Sequence, residues 1–292
     1  MWKECRVVVV VPARDEAPRL GRVLSQMPAW VDAVIVVDDA SVDGTAEVAR
    51  AAADPRVEVL RHARSRGVGA AIATGYRYAA GQSGGSRDAF VVMAGDGQMD
   101  PRDLPAVVDP VVRGEADYVK GDRFHSNHPS VGRPMPWSRR IGGLFFSWAT
   151  SRAIGIPVSD SQCGYTALSR AACGRLDLDG LWGGYGYPND LLSQLALRGM
   201  RIAQVPVRAV YLDEVSRFRA RHLLVVGGLV ARAWIRRKTG PSFREQAIHT
   251  QPPPRATDRG AEGGNRPHVR SHHPRRPRPH PDPRNDVARA RR

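Results

Sequence analysis

Residues 91–101, VVMAGDGQMDP, join an apolar run to a short cluster of acidic and amide side chains. The apolar run predicts a buried strand, and the glycines and polar residues after it predict a turn at its carboxyl end. Open α/β sheets bind their ligands at that edge. Asp96 and Gln98 stand two residues apart in the turn, and their oxygens suit Mg²⁺ or Mn²⁺. Asp100 is expected instead to cap the next helix, with Pro101 at its first position.

The chain before this turn alternates apolar runs with helical patterns. Four segments rich in apolar residues predict strands: residues 6–11, 33–37, 57–60 and 88–93. The first contains a continuous run of valines, which is typical of a strand buried on both faces. Between them, apolar residues recur at helical intervals, and Pro12 is expected to end the first strand. Strands that alternate with helices in this way predict an α/β fold, a mostly parallel sheet flanked by helices with right-handed crossovers.

The regular alternation of predicted strands and helices ends after residue 101. The sequence predicts further helices over residues 104–112, 139–154 and 188–198, and extended segments within 118–121, 160–169 and 201–210. Residues 125–137 are rich in proline and are expected to form a long loop over the site. The helix over 139–154 begins with two arginines and crowds large apolar side chains, so it fits both a core helix and a helix on a membrane surface.

The composition separates a globular part from a basic tail. The chain has 292 residues, 42% of them hydrophobic, which is enough to build a core. Residues 241–292 contain 10 Pro and 12 Arg against 5 acidic residues, and they have hardly any aliphatic runs. Such a segment cannot offset its ordering entropy by burial, so it is expected to be disordered. The sequence therefore divides into a domain at 1–220, an apolar and basic helix at 221–240, and a tail at 241–292.

The charge and the cysteines limit the classes of function. The net charge of +15 and the pI of about 10.8 would suit a nucleic-acid-binding protein. However, the tail alone carries 12 minus 5, or +7, and no strand interleaves aromatic with basic residues, so nucleic acid is a disfavoured partner. Three cysteines without a paired spacing indicate a reducing, cytoplasmic setting. Residues 222–235 are apolar with basic flanks but too short to span a bilayer, so they fit either peripheral contact with the inner face of the membrane or an ordinary final helix packed on the core sheet.

A second acidic cluster follows the second predicted strand. The sequence VVDDASVDGT places Asp38 and Asp39 at the strand end, directly before the start of a helix. An acid there can accept a hydrogen bond from a base or a ribose hydroxyl, and Asp39 is expected to do so. Asp43 is expected to be mainly structural, as a helix cap. The segment PARDE, residues 12–16, occupies the equivalent place after the first strand.

The order of the motifs along the chain resembles that of family 2 inverting glycosyltransferases. The motifs are PARDE, VVDDASVDGT, a Gly-x-Gly-Ala-Ala helix start, MAGDGQMDP, DSQCGYTALS and GYPNDLL. They fall within residues 6–220 and are most similar to the branch of dolichyl-phosphate and polyprenyl-phosphate mannose or glucose synthases. The resemblance implies the GT-A fold and transfer of a hexose from a UDP- or GDP-linked donor.

The resemblance also implies roles for individual residues on the donor side. The residues that would cradle the nucleoside are Pro12, Ala13 and Glu16. Asp39 would contact the base or ribose, while Asp96, assisted by Gln98, would bind the metal ion on the donor diphosphate. The chain departs from the family's Asp-x-Asp pattern, because Ala94 stands at the place of the first acid. The metal ion would therefore depend more on Gln98, the diphosphate and water.

On the acceptor side, the resemblance leaves alternatives open. Gln162 would offer its amide to sugar hydroxyls, although Gly164 could equally make this segment a plain tight turn. Asp190 would act as general base toward an acceptor hydroxyl, or would only position an acceptor that is already anionic. It could also be a helix N-terminal acid without a catalytic role. Ser216 and Arg217 would lie over the departing diphosphate, unless their loop is a solvated basic patch.

These inferences predict an enzyme that transfers a sugar with inversion, by direct attack of an acceptor oxygen on the anomeric carbon. The favoured acceptor is a polyprenyl phosphate, which a bilayer would hold beside the two candidate surface helices. A soluble saccharide or small metabolite is the alternative acceptor. A nucleotidyltransferase is disfavoured, because PARDE is acidic and no Gly-rich loop with Arg and Lys follows the first strand.

Overall fold

The computed structural model describes residues 1–124, 131–132, 135, 137–211 and 220–239. Its strands are β1 (Val7–Ala13), β2 (Ala33–Asp38), β3 (Val57–Arg61), β4 (Ala89–Val92), β5 (Tyr118–Asp122), β6 (Val131–Gly132), β7 (Thr166–Ser169), β8 (Ile202–Pro206) and β9 (Val210–Tyr211). Its helices are α1 (Ala17–Ser25), α2 (Thr45–Arg50), α3 (Val68–Gly81), α4 (Leu104–Val112), α5 (Trp137–Ile154), α6 (Arg170–Cys173), α7 (Tyr187–Leu197) and α8 (Ala220–Thr239). A 3₁₀ turn at Pro101–Asp103 precedes α4.

The helices and strands predicted from apolar patterns are present in the predicted order. One detail was wrong, because β1 continues through Pro12 to Ala13. The Pro12 carbonyl accepts from the Gly95 N–H at 3.1 Å, so the N–H that proline lacks would point toward the β4 side of the strand. The β1–β4 ladder has ended by then, and proline therefore costs β1 no ladder hydrogen bond. The predicted loop over residues 125–137 lies largely outside the described residues.

The main sheet has seven strands in the order β3-β2-β1-β4-β7-β5-β8. Neighbouring strands pair in parallel except at β7, which is antiparallel to both β4 and β5. The expected mostly parallel α/β sheet is therefore confirmed, with one reversed strand near its centre. A separate pair, β6 and β9, also runs parallel.

The core forms two layers, one on each face of this sheet. All seven residues of β1 are buried, and alternate valines face opposite sides. Val7 and Val9 pack with apolar side chains of α1 and α4, whereas Val8 and Val10 pack with those of α3 and α7. A strand buried on both faces needs apolar side chains at every position, which explains the continuous run of valines.

Helix α8 packs against α5 and α7 at the end of the described chain. Val226, Leu229 and Ala233 are its buried positions, so part of the predicted surface helix belongs to the core. Leu224, at 81% exposure, and Ile235, at 53%, face away from it. Among the described residues, no helix is both long and apolar enough to cross a membrane.

The contact between α3 and β1 gives a direct test of the packing. A Cβ added to Gly75 would lie 2.3 Å from Cγ1 of Val10, a distance that real Cβ atoms do not show. Although alanine is the better helix former by about 1 kcal/mol, we expect Gly75→Ala to lower the free energy of unfolding by about 1–3 kcal/mol through overpacking. Denaturant unfolding measures the change.

The matched control is Gly228→Ala inside α8, where an added Cβ would meet nothing within 4 Å. That substitution should leave the protein as stable as before, or more stable by up to about 1 kcal/mol. If the two alanine variants were equally stable, the close approach of α3 to β1 would be wrong.

Candidate active site

The predicted loops meet at one edge of the main sheet. Because β1, β2 and β4 are parallel, the chain leaves each of them at the same edge, as expected from the sequence. β7 runs in the opposite direction, so the segment that precedes it, residues 160–165, arrives at this edge too. The edge therefore collects PARDE, the acidic cluster after β2, the Asp96 turn and the DSQCGY motif.

Pro12 and Ala13 form the end of β1 between two of these loops. The Asp39 N–H donates to the Ala13 carbonyl at 2.9 Å, and the Gly95 N–H donates to the Pro12 carbonyl at 3.1 Å. A Cβ at Gly95 would lie 3.2 Å from Cβ of Ala13, so the Asp96 turn lies directly against the end of β1. The two residues predicted to cradle a nucleoside thus lie between the Asp39 loop and the Asp96 turn.

Backbone and side-chain hydrogen bonds join the PARDE loop to the segment SVDGT. The Glu16 N–H donates to Oγ1 of Thr45 at 2.9 Å, and the Ala17 N–H donates to Oδ2 of Asp43 at 3.0 Å. Asp43 also accepts from the Thr45 N–H at 3.1 Å, where α2 begins, in agreement with its predicted structural role. The Glu16 carboxylate lies 2.9 Å from the Arg19 guanidinium. Glu16 is therefore held within the loop rather than in open solvent.

The Asp39 carboxylate at this edge accepts hydrogen bonds from four protein donors. It is buried, and it accepts at 2.6–2.8 Å from Nδ1 of His62, the Ser65 hydroxyl and the backbone N–H groups of Arg66 and Gly67. Burial acts to raise the pKa of Asp39, but these hydrogen bonds outweigh it and hold the pKa below its usual value. Since an ionised carboxylate only accepts, Nδ1 of His62 carries the proton. Asp39 thereby fixes the connection between β3 and α3.

Asp96 lies in the turn after β4, together with Gln98. Oδ1 of Asp96 accepts from the Gln98 N–H at 2.9 Å, and both side chains are half-buried. Gly97 between them has a φ of 76°, in the left-handed region that favours glycine. The turn therefore holds a carboxylate and an amide close together at the sheet edge, beside Ala94 rather than a second acid.

Asp100 is the N-cap of the 3₁₀ turn that precedes α4, in agreement with its predicted capping role. Its carboxylate accepts from the Arg102 N–H at 2.9 Å and lies 2.6 Å from the Arg102 guanidinium, with Pro101 at the start of the 3₁₀ turn. Burial acts to raise the pKa of Asp100, but the arginine contacts hold it below its usual value. Asp103 is paired in turn with Arg208 at 2.5 Å. Both acids are thus paired with arginines.

Buried charged side chains hold the DSQCGY segment in place. Asp160 is fully buried and pairs with Arg123 at 2.7 Å. Burial acts to raise the pKa of Asp160, but the Arg123 guanidinium holds it below its usual value. Lys120 is also fully buried and donates from Nζ to the Cys163 carbonyl at 2.6 Å, while burial lowers the pKa of this ammonium to about 8. These contacts fix the segment on β5.

Gln162 connects the same segment to the start of α7. Its Nε2 donates to Oδ1 of Asn189 at 3.3 Å and to the Ser161 hydroxyl at 3.0 Å. A Cβ at Gly164 would lie 3.1 Å from Cε of Met99, so the segment also adjoins the Asp96 turn. The structure thus brings Gln162 into one region with Asp96 and Gln98.

Asp190 lies in the first turn of α7, and both of its carboxylate oxygens have partners. Oδ2 accepts from the Trp182 N–H at 2.9 Å, and Oδ1 accepts from the Arg236 guanidinium of α8 at 2.8 Å. Arg232 lies 3.9 Å from the same oxygen, and Asp190 itself is only 2% exposed. The acid is therefore a buried ion-pair partner of α8.

Two further predicted residues, Ser216 and Arg217, lie outside the described part of the chain. Reasoning from the sequence also missed several residues that shape the site. His62 could have been found, because it follows β3 as Asp39 follows β2. Lys120 gave a signal as a charged residue inside an apolar strand, whereas nothing in the sequence pairs Arg236 with Asp190.

The mixed sheet and its acidic edge define the GT-A class of glycosyltransferase folds. Among solved structures, the chain is similar to glucosyl-3-phosphoglycerate synthase from Mycobacterium tuberculosis, determined in complex with Mn²⁺, uridine diphosphate and glucosyl-3-phosphoglycerate. The TM-score is 0.57, the identity is 22%, and the match covers 82% of each chain. At this identity the similarity concerns the fold alone.

Residues 8–176 match glycosyl transferase family 2, and the chain belongs to this family. It is 34% identical over 214 residues to the undecaprenyl-phosphate mannosyltransferase of Micrococcus luteus, covering 70% of this chain and 84% of that protein. It is 31% identical over 213 residues to the polyprenol monophosphomannose synthase of Mycolicibacterium smegmatis, covering 69% and 76% respectively. The protein is therefore a glycosyltransferase, as the motif order predicted.

The hydrogen bonds of Asp39 predict a pH-dependent contribution to stability. An amide at this position could not accept from all four donors, so Asp39→Asn should lower the free energy of unfolding by about 2–4 kcal/mol at pH 7. Because the folded pKa lies below the unfolded value of about 3.9, the contribution is present above that pH and is lost as the pH falls through the folded pKa. Thermal unfolding should show that the difference in stability between variant and wild type decreases from pH 7 to pH 3.

The control is Asp179→Asn, which changes an exposed acid whose surface ion pair with Arg77 should contribute little. It should change stability by less than about 0.5 kcal/mol. If the stability lost in Asp39→Asn did not depend on pH, the ionised form of Asp39 would not stabilise the fold more than its neutral form.

Proposed function

We propose that this glycosyltransferase moves a hexose from a UDP- or GDP-linked donor to a polyprenyl phosphate, with inversion. The names of two relatives, an undecaprenyl-phosphate mannosyltransferase and a polyprenol monophosphomannose synthase, support this acceptor. In the reaction, an acceptor phosphate oxygen attacks the anomeric carbon while the bond from that carbon to the donor diphosphate breaks. The diphosphate departs with the electron pair, and a single displacement inverts the configuration.

The donor would bind along the edge formed by the ends of β1, β2 and β4. Pro12 and Ala13 lie between Asp39 and the Asp96 turn, and Glu16 follows on the same loop, where its N–H donates to Thr45. Since the Asp39 carboxylate already accepts from four protein donors, its part in donor binding is to hold the surrounding backbone in place as well as to face the nucleoside. Ser216 and Arg217 remain proposed contacts of the diphosphate.

Asp96 and Gln98 would hold a divalent cation, Mg²⁺ or Mn²⁺, on the donor diphosphate. Hard carboxylate and amide oxygens fit such an ion, but no group of three or more His, Cys, Asp or Glu within the described residues could hold one. The remaining ligands would then be diphosphate oxygens and water. When bound, the ion supplies positive charge opposite the departing diphosphate.

The contacts of Asp190 are the observation that carries the choice of acceptor. A general base must be within reach of the proton that it removes, but Asp190 is 2% exposed and already accepts from Trp182 and Arg236. A phosphate acceptor is already anionic and needs no base. Arg232 and Arg236 together outweigh the single charge of Asp190, so the surroundings favour an anion. A soluble saccharide acceptor, the alternative, would need a proton acceptor.

The donor half of the proposal predicts metal-dependent binding. UDP- and GDP-sugars should raise the melting temperature of the wild type in the presence of Mn²⁺, in proportion to their affinity. Asp96→Ala should lose the Mn²⁺-dependent part of this shift, because the remaining amide is a weak ligand by itself. The melting temperature without ligand should change little.

The control is Asp179→Ala, which removes an exposed acid paired with Arg77 and should behave as wild type. An undiminished Mn²⁺-dependent shift in Asp96→Ala would exclude Asp96 as the metal ligand.

The acceptor half predicts that the phosphate group is indispensable. Purified enzyme should glycosylate a polyprenyl phosphate and leave the corresponding polyprenol and free saccharides unchanged. The rate should follow the second ionisation of the phosphate near pH 6, in wild type and in Asp190→Asn alike. Asp190→Asn should cost less than about tenfold in kcat below its melting temperature, against the 10²–10⁴-fold loss expected for a general base. If the wild type transferred sugar to an alcohol and Asp190→Asn abolished that transfer, the hydroxyl-acceptor alternative would be favoured.

A further inference from the structure

Helix α5 presents large apolar side chains to solvent along one face. Trp137, Ile141, Leu144, Phe145 and Trp148 occupy positions i, i+4, i+7, i+8 and i+11, so they lie on the same side of the helix. Their exposed fractions run from 46% at Leu144 to 76% at Trp137. These five residues are called the apolar stripe below. Contiguous exposed patches of this kind mark interaction surfaces in soluble proteins.

The opposite face of α5 is the buried one, and it is small and polar until Ala153 and Ile154 join the core at the end of the helix. Ser147 and Thr150 are 2% and 1% exposed. The Ser147 hydroxyl accepts from the Ser161 N–H at 2.9 Å, and the Thr150 hydroxyl donates to Oδ1 of Asn189 at 2.8 Å. A Cβ at Gly143 would lie 2.5 Å from the Phe124 ring. The polarity of the helix is therefore reversed relative to an ordinary amphipathic helix, and the apolar stripe does not serve the core.

The charges on α5 indicate what covers the apolar stripe. The helix contains no acidic residue, and it carries Arg139 and Arg140 near its start and Arg152 near its end. Tryptophan and arginine beside exposed apolar side chains are typical of helices that lie in the interface of a bilayer. We infer that the apolar stripe inserts into the interfacial layer of an anionic membrane, with these arginines at the level of the lipid phosphates.

Other occupants fit the charge less well. A second copy of the chain would bring two sets of arginines together without an acid on either helix. Residues 241–292 of the same chain carry a net charge of +7 and few large apolar side chains, so they are poor partners for an apolar surface with basic ends. Anionic lipid offers both an apolar layer and negative charge.

This inference deepens the proposed function and rests on it for its purpose. The buried face of α5 holds Ser161 and Asn189, which adjoin Gln162 and Asp190. A membrane bound to the apolar stripe would therefore lie across one helix from the acceptor side of the site. A polyprenyl phosphate anchored in that membrane would present its phosphate within the same layer as the arginines.

The test uses the full chain and vesicles of phosphatidylcholine mixed with phosphatidylglycerol. High salt screens the basic tail, so binding that persists there reports apolar insertion. The wild type should float with the vesicles at high salt, and Phe145→Ser combined with Trp148→Ser should weaken flotation by at least about tenfold. Because both side chains are about 60% exposed, the melting temperature should not fall. Leu224→Ser on the exposed side of α8 is the comparison and should have the smaller effect.

A second measurement keeps the inference testable if the double variant does not fold. The three native cysteines are buried, so a cysteine at position 145 can be labelled selectively with an environment-sensitive dye. The dye in Phe145→Cys should shift to the blue with vesicles and be quenched by brominated lipid, more strongly than a dye in Leu224→Cys. Unchanged flotation of the double variant, or no response of the dye at 145, would overturn the inference. The inference would also be overturned if the wild type were a dimer and the double variant a monomer, because the apolar stripe would then be covered by a second copy of the chain.

Failure of the inference can be separated from failure of the proposed function. With a short-chain, water-soluble prenyl phosphate, the double variant should turn over as fast as wild type, because the apolar stripe lies on the face of α5 opposite Ser161 and Asn189. With a long-chain acceptor in vesicles, it should lose at least about tenfold. A wild type that floats but glycosylates neither acceptor would refute the proposed function while leaving membrane docking intact.

Discussion

The site depends on one buried carboxylate, that of Asp39, and on the backbone which it orders. By accepting hydrogen bonds from the connection between β3 and α3, Asp39 fixes where α3 begins. The Gly69 N–H in the first turn of α3 donates to the Gly183 carbonyl at 2.7 Å, and the neighbouring Trp182 N–H donates to Asp190. The proposed donor and acceptor sides, called the donor side and the acceptor side below, are thus joined by a short series of hydrogen bonds. A shift at the start of α3 would therefore also shift the surroundings of Asp190.

The two sides of the site are nevertheless built differently. The donor side is held mainly by backbone amides and short loops that follow parallel strands, so its geometry comes directly from the sheet. The acceptor side is held by side chains that meet from distant parts of the chain, such as Arg123 with Asp160 and Arg236 with Asp190. In a poorly solvated interior such pairs are costly to break, because a lone buried charge has no compensation. The acceptor side therefore needs the outer helices in place.

This difference explains how much the sequence could predict. Continuous apolar runs identified β1, β2 and β4, and the rule that parallel strands end at one edge placed Asp39 and Asp96 there. A strand of four residues does not show in its sequence whether it runs parallel or antiparallel to its neighbours. The position of residues 160–165 at the same edge therefore followed only from the observed pairing of β7. Likewise, apolar crowding in α5 was evident in the sequence, but which face is buried depends on Ser161 and Asn189 as partners, and no local pattern encodes them.

The ion pair between α8 and α7 constrains how the chain can change in length. Val226 and Leu229 anchor α8 against the start of α7, and Arg236 must then stand about two turns further on to reach Asp190. Inserting or deleting one residue between them would swing the guanidinium by about 100° around the helix axis and leave a buried carboxylate without its cation. Loops at the sheet edge can vary in length while the fold persists. This helix can tolerate substitutions at its outer positions, but it cannot tolerate a change of register.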